Sequence, residues 1–262
     1  MATWADSRCM CGVIALCMSL VGCTSPPPTV PGNVNAAGQT VQAFSDLDAV
    51  HLRGLVELHW TDDEGNHLEQ GDLEVWIKGH THASARVTKF GDVYLWTGTT
   101  PEGDFTFDLF SEPTTLTTGG PDDGVDAVLP AATLRRLLGI AGIPPGATMT
   151  SMDNAVRITL NRPDGSHETL DLTADGSRVT RVTISTASGR TVIADHRDHD
   201  EGPIVASRRF ARYVDVRSGD GLARLLLAEV DSPEALPSAV FDVERLQAAL
   251  RPDRVRSGRD AP

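Results

Sequence analysis

The stretch at 156–184, VRITLNRPDGSHETLDLTADGSRVTRVTI, decides the fold. Apolar and polar side chains alternate there in three short runs, whose apolar members are Val156, Ile158, Leu160, Leu170, Leu172, Val182 and Ile184. A period of two is typical of half-buried strands. Asp164-Gly165 and Asp175-Gly176 separate the runs, and Asp-Gly between alternating runs indicates a tight hairpin. The stretch therefore predicts an antiparallel meander.

The same alternation occurs earlier and later in the chain. Strands are predicted near 56–60, 73–78, 93–96, 105–109, 210–216 and 222–230. Helical spacing predicts helices at about 36–47, 131–138 and 241–250. We expect a mainly β, α+β domain: one antiparallel sheet with one wet face, whose apolar face is covered by the helices near Phe44 and Leu134.

The N-terminus has a different character. An uncharged apolar run extends from Cys9 to Val21, follows Asp6 and Arg8, and is too short to span a bilayer. This order is typical of a secretory signal peptide. Leu20-Val21-Gly22-Cys23 resembles the lipobox of bacterial lipoproteins, which implies cleavage before Cys23 and a lipid on its thiol. The alternatives are an ordinary signal with a chance cysteine, or a misplaced start.

Composition limits the partners and the chemistry. The formal net charge is -13, which disfavours nucleic acid and anionic lipid head groups. The four cysteines are Cys9, Cys11, Cys17 and Cys23, so a chain cut before Cys23 has no disulfide, no thiolate metal site and no cysteine nucleophile.

These patterns divide the chain into four parts. Residues 1–22 are the signal peptide, 23–38 a Pro-rich lipidated tether, 39–250 a single β domain, and 251–262 a disordered charged tail. Thr24, rather than Asp, follows Cys23, which in proteobacteria implies forwarding to the outer membrane, facing the periplasm.

The lipobox, the short helix, the long meander and the mid-chain helix together resemble the LolA/LolB/LppX group of envelope lipoproteins and lipid carriers. This resemblance rests on three features: the segment at 73–78, LEVWIK, the segment at 91–96, GDVYLW, and the late Asp-Gly hairpins. The resemblance covers about 39–250. It implies a strongly curved, half-closed barrel whose concave apolar face holds acyl chains beneath a lid of helices.

Ten apolar residues of the alternating runs are candidates to line such a site. They are Leu73, Val75, Ile77, Val93, Leu95, Phe105, Phe107, Leu109, Ile158 and Leu160. A curved apolar face excludes water from acyl chains without any catalytic group. Alternation does not distinguish a cavity from a packed interior, so a filled core is the alternative.

Two histidine clusters carry the remaining chemistry. His80 and His82 would share one face of a strand, and His196 and His199 lie among Asp195, Asp198 and Asp200. Such groups offer nitrogen and oxygen ligands for a divalent metal. A Ca²⁺ site at 62–64 is a weaker possibility. The spacings match no specific site, so solvated loops are the preferred interpretation, and we expect no metal and no cofactor.

The sequence therefore supports three hypotheses of different classes. The first is a non-enzymatic, membrane-anchored protein that binds or transfers lipid or lipoprotein acyl chains. The second is a structural or interaction lipoprotein without a ligand. The third, less favoured, is a metal-dependent hydrolase that uses His196 and His199. The sequence does not indicate the oligomeric state.

Overall fold

The computed structural model describes residues 29–62, 65–119, 129–140, 142–219 and 221–257. The predicted signal peptide at 1–22, the lipid-attachment candidate Cys23 and the Ca²⁺ candidates Asp63 and Glu64 lie outside the described residues. Within the described part of the chain, no helix is long and apolar enough to cross a membrane.

Most of the domain is one large sheet. Its strands and those of a small hairpin are β1 Ala49–Asp62, β2 Gly65–Lys78, β3 His82–Lys89, β4 Asp92–Thr100, β5 Gly103–Asp108, β6 Thr115–Thr118, β7 Thr148–Met152, β8 Ala155–Asn161, β9 His167–Thr173, β10 Val179–Ser185, β11 Thr191–Arg197, β12 Ile204–Val205, β13 Arg208–Arg209, β14 Tyr213–Ser218, β15 Gly221–Asp231 and β16 Arg254–Ser257. The order in the sheet is β16-β6-β5-β4-β3-β2-β1-β15-β14-β11-β10-β9-β8-β7, and β12 pairs with β13 separately. Neighbours are antiparallel except for β16 and β6. The predicted meander is confirmed.

Helices form at the three predicted places. They are α1 Val34–Ser45, α2 Ala131–Leu137 and α3 Val243–Leu250. The side chain of Asn33 caps α1 by accepting a hydrogen bond from the Ala36 N–H, and Asp242 caps α3 in the same way from the Arg245 N–H. Gly139, with φ 73°, follows α2, as is common where a helix ends in a left-handed residue.

The sheet curves around α1 and α2. The helix α2 contacts β3, β4 and β5 on one side and β10 on the other. In a flat sheet, the seven strand spacings between β4 and β10 would span about 34 Å, whereas a seven-residue helix is about 10 Å long. The sheet must therefore bend to bring both parts against one helix. It is a curved open sheet that does not close into a barrel, as expected for the fold class.

The concave face holds the larger of two apolar clusters, here called the inner core. Phe44 of α1 and Leu134 of α2 are both buried in it, together with apolar residues from both halves of the sheet. The prediction that these two helices cover the apolar face is confirmed.

The expectation of a wet second face is wrong for β2 to β6. On the convex face, α3 and the 3-10 turn Ser238–Phe241 pack on a second cluster, here called the outer core. The buried members of the outer core are Trp76, Trp96, Phe105, Phe107, Leu116, Val240 and Leu246. This end of the sheet therefore has a covered apolar surface on each face.

A bulge in β4 explains why some side chains lie on the face opposite to the one predicted. The partner of Val87 is Leu95, but the partner of the next residue, Thr88, is Val93, so Tyr94 is the extra residue. A bulge reverses the face on which the following side chains lie. Simple alternation predicts Val93 and Leu95 on the same face of the sheet. In the structure, Leu95 lies in the inner core and Val93 packs against the outer core.

Both ends of the domain extend beyond the predicted boundaries. The Gly32 N–H donates to the Met152 carbonyl, the Asn33 N–H donates to the Ala174 carbonyl, and α1 begins within the predicted tether at 23–38. Near the other terminus, β16 pairs with β6 within the predicted tail at 251–262. The folded chain thus reaches from about residue 30 to residue 257.

Candidate functional site

An apolar pocket lies where the two halves of the curved sheet approach the start of α2. Its volume is about 200 Å³. The helix contributes Ala131, Ala132 and Thr133, and the two halves of the sheet contribute Thr97, Asp104, Phe105, Thr106, Ile184, Thr186, Arg190 and Val192. The polar lining residues Thr97 and Thr106 are buried, and Ile184 and Val192 of the lining belong to the inner core, so an apolar chain entering here would reach that core.

The rest of the concave face is filled by side chains. Leu134, Leu137 and Ile140 are fully buried against the inner core. Sites for drug-sized ligands are usually about 300–1,000 Å³, which exceeds the volume of this pocket. The structure is therefore a closed arrangement, in which a long acyl chain would fit only after α2 moves away from the sheet.

Arg135 connects α2 to two other parts of the domain. Its guanidinium donates to the Gly79 carbonyl in the β2–β3 turn and, at 3.2 Å, to the Ser45 carbonyl at the end of α1. Burial lowers the pKa of Arg135, and the nearby Asp48 opposes this effect. Its Nε has no hydrogen-bond partner among the described residues. Burying a cation against carbonyl groups costs desolvation free energy, which reduces the net stability of this attachment. A smaller net stability makes the attachment of α2 easier to reverse.

His196 attaches the other end of α2. Its Nε2 lies 2.9 Å from the Leu137 carbonyl and, in the neutral ring, donates a hydrogen bond to it. Burial, followed by the neighbouring His199, lowers the pKa of His196 to about 4. The ring is therefore neutral at pH 7, and it stacks on His199 with the centroids 6.5 Å apart.

The ten residues predicted to line a ligand site divide between the two cores. Leu73, Val75, Ile77, Leu95 and Ile158 lie in the inner core, and Leu160 is buried on the same face of β8 as Ile158. Phe105 and Phe107 lie in the outer core, with Val93 and Leu109 packed against it. Phe105 is the one of the ten that borders the pocket among the residues that the structure describes. Their role as ligand-lining residues remains a prediction.

The two predicted histidine clusters, His80/His82 and His196/His199, lie in different parts of the structure. His80 is exposed in the β2–β3 turn, and His82 packs edge-on against Phe241. Solvated loops are the wrong interpretation for His196 and His199, because both are buried and both donate to backbone carbonyls. Within the described ranges, no three His, Cys, Asp or Glu side chains are arranged to hold a metal.

Sequence reasoning missed Arg135 and the pocket, and it considered His196 as a metal ligand rather than as a hydrogen-bond donor to the end of α2. One signal was present for Arg135, since it lies between Leu134 and Leu137 on a helix predicted to cover an apolar face. The hydrogen bonds of Arg135 and His196 join residues 56 and 59 positions apart. Contacts over such distances along the chain do not follow from local pattern.

Comparison with known proteins supports the fold. No protein-family model and no curated protein sequence matches the chain. Among solved structures, it is similar to a LolA superfamily protein from Nitrosomonas europaea, with a TM-score of 0.51 and 11% identity over 78% of this chain and 97% of that one. It is also similar to a DUF1329 family protein from Desulfovibrio piger (TM-score 0.51, 7% identity, 82% and 100% covered).

A third similar structure is an outer membrane lipoprotein-sorting protein domain from Vibrio parahaemolyticus. Its TM-score is 0.52 at 8% identity, over 80% of this chain and 97% of that domain. Each of the three alignments covers nearly the whole length of the similar structure. The chain therefore has a LolA-like fold: a large curved open sheet with helices on its concave face.

Proposed function

We propose that this protein binds the acyl chain of a lipid or lipoprotein on the concave face of its sheet, without catalysis. The observation that carries the proposal is the apolar pocket beneath the start of α2, continuous with the inner core. Burial of an acyl chain gains about 0.8 kcal/mol per CH₂, and this gain offsets the cost of exposing Leu134 and Leu137 when the chain takes their place against the sheet.

The polar contacts that hold α2 are weak enough to allow such a displacement. Three hydrogen bonds, from Arg135 and His196, hold the helix to its surroundings across the concave face. A net hydrogen bond is worth only about 1 kcal/mol, so a bound chain of several CH₂ groups compensates for their loss. The helix α2 then acts as a lid over the concave face.

The similar solved structures suggest which molecule this protein binds and where in the cell it acts. One of them is described as a lipoprotein-sorting domain of the outer membrane. Together with the lipobox at Cys23, this supports a protein anchored by lipid in the cell envelope, facing the periplasm, that passes on lipid or lipidated protein.

Binding of cis-parinaric acid, a fluorescent 18-carbon fatty acid, tests the proposal. We expect a saturable rise in fluorescence. Ala132→Trp should weaken binding at least about tenfold, because Ala132 is an exposed lining residue where the indole obstructs entry to the pocket. Ala248→Trp is the matched control, since Ala248 is exposed on α3 away from the pocket. Absence of saturable binding, or equal affinity in both variants, would refute acyl-chain binding at this site.

The packed inner face favours a second candidate, a scaffold lipoprotein without a ligand. In that case the interior is only a core, and function lies on the surface. A native pulldown that yields a stoichiometric protein partner and no lipid supports this candidate over the first.

A further inference from the structure

A second groove lies on the convex face, opposite the inner core. This outer groove has a volume of about 900 Å³ and is formed by β1, β2, the β3–β4 turn, β11, β14 and β15. The residues that matter here are Leu55, Leu226, Tyr213, Asp72, Asp215 and Phe90. Because the groove and the acyl pocket are on opposite faces, binding in the groove does not depend on the proposed function.

Large apolar side chains are exposed in and beside the outer groove. Leu55 is 51% exposed, Leu68 is 56% exposed, and Phe90 at the tip of the β3–β4 turn is 94% exposed. Elsewhere in the described chain, Val30, Ile204 and Val255 are as exposed as Leu55, but none of them lines the outer groove. A contiguous exposed apolar surface with a polar rim is typical of an interaction site.

The basic side chains of the outer groove are already paired. Arg224 bonds Glu57 at 3.0 Å, Arg197 bonds Asp215 Oδ2 at 2.8 Å, and Lys89 bonds Glu69 at 2.7 Å. Hydrogen bonds from His59 and Gln70 further lower the pKa of Glu57. The groove therefore offers no spare cation to an anionic ligand among the described residues.

Two carboxylates still have acceptor capacity. Asp215 is only 8% exposed, and its Oδ1 is buried without a hydrogen-bond partner among the described residues. Asp72 is exposed and forms no ion pair within the described chain. An unsatisfied buried acceptor costs about 1–3 kcal/mol. A donor from a partner removes that cost once the exposed Arg197 side chain, which bonds Oδ2, shifts to admit it.

The spacing of these groups suggests the shape of the partner. Asp72, Leu55, Leu226 and Tyr213 are successive cross-strand neighbours, and Asp215 lies two residues from Tyr213 on β14. Strands are about 4.8 Å apart, so the three steps from β2 to β14 span about 14 Å. An extended peptide covers that distance in about four residues.

We propose that the outer groove binds an extended segment of a protein partner, in which two basic residues about four positions apart flank an apolar one. The basic side chains reach Asp72 and Asp215, and the apolar side chain packs on Leu55 and Leu226. The chain charge of -13 favours a cationic segment and opposes docking on an anionic membrane.

Fluorescence anisotropy with the labelled peptide Arg-Ser-Leu-Ser-Arg and the full-length protein tests this proposal. We expect saturable binding that Asp72→Asn/Asp215→Asn weakens at least about tenfold, and no binding of Glu-Ser-Leu-Ser-Glu. The control Glu234→Gln/Glu244→Gln removes the same charge from exposed positions outside the groove. Leu55→Ser tests the apolar contact without a change of charge, and melting curves show that each variant is folded.

Three results would overturn the proposal. The first is no saturable binding to the wild type up to about 1 mM peptide. The second is equal weakening by both double variants, which means that only net charge attracts the peptide. The third is binding to phosphatidylglycerol vesicles that Leu55→Ser and Phe90→Ser abolish, which makes the groove a membrane surface.

Discussion

Arg135 and His196 are the two residues on which the behaviour of α2 depends. Each is a polar side chain buried beside the inner core, and each bonds a backbone carbonyl instead of a carboxylate. Packing alone would hold a seven-residue helix regardless of conditions. Polar attachments make its position sensitive to single substitutions and to pH.

Replacing Arg135 by Met should loosen α2 while keeping an apolar stem in place. Two backbone carbonyls, of Gly79 and Ser45, lose their donor. We predict a loss of about 2 kcal/mol in the free energy of unfolding and faster uptake of cis-parinaric acid. Arg136→Met is the control, because the Arg136 side chain is 39% exposed and its partner Glu168 keeps an ion pair with Arg162 at 3.3 Å. Uptake at equal rates in both variants contradicts the role of Arg135.

His196 makes stability depend on pH. Burial lowers its pKa from 6.5 to about 4, so between these values the unfolded chain binds a proton that the folded chain does not. The stabilising neutral form is fully present above pH 6.5, and its contribution is lost as the pH falls toward 4.

Urea unfolding of wild type and His196→Gln at pH 7 and pH 5 measures this contribution. The Gln amide still donates to the Leu137 carbonyl but does not titrate. We predict that the variant loses about 2 kcal/mol less than wild type between the two pH values. The carboxylates titrate alike in both proteins, so identical pH dependence would show that His196 does not carry the effect.

At the scale of elements, α3 has a role that differs from those of α1 and α2. It covers the outer core on the convex face, whereas the other two helices cover the concave face. The proposed acyl site therefore lies on the inner core, and the outer core is separate from it.

Leu246→Ala separates these roles. Leu246 is 5% exposed in the outer core, so its truncation should lower the free energy of unfolding by about 2–4 kcal/mol. Binding of cis-parinaric acid should be unchanged at temperatures where the variant is folded. Val255→Ala on β16, where the side chain is 58% exposed, should alter stability by less than about 0.5 kcal/mol. Loss of acyl binding in folded Leu246→Ala would mean that the two cores are coupled.

Local pattern predicted the helices and the hairpins, because Asp-Gly turns and alternation depend on near neighbours. It did not predict which face each side chain occupies past the bulge at Tyr94, since a bulge is set by pairing with β3. One sign of the outer core was present. Val75-Trp76-Ile77 are three consecutive apolar residues, which indicates burial on both faces of β2. The pocket depends on the approach of β4 and β10, which no local pattern contains.

For the whole molecule, the net charge and the lipid proposed on Cys23 bear on where we expect the domain to work. A charge of -13 keeps the domain away from anionic head groups, so a membrane position requires the lipid predicted on Cys23. Residues 30–33 are bound to the turns that follow β7 and β9, so a segment leading to the proposed lipid on Cys23 would leave the domain from that end.

Cys23→Ser tests the anchor. We predict that the variant leaves the membrane fraction and no longer incorporates labelled palmitate, while its melting temperature is unchanged. Cys17→Ser, within the predicted signal, should incorporate label like wild type. Palmitate labelling of Cys23→Ser at the wild-type level would refute lipidation at this residue.

We propose above that an acyl chain occupies the concave face beneath α2. Mass spectrometry of lipid that co-purifies with the protein from expressing cells tests it most directly, with wild type, Ala132→Trp and Ala248→Trp compared. We predict about one acyl-bearing molecule per chain in wild type and Ala248→Trp, and almost none in Ala132→Trp. Lipid retained equally in Ala132→Trp, or absent from the wild type, would contradict the claim.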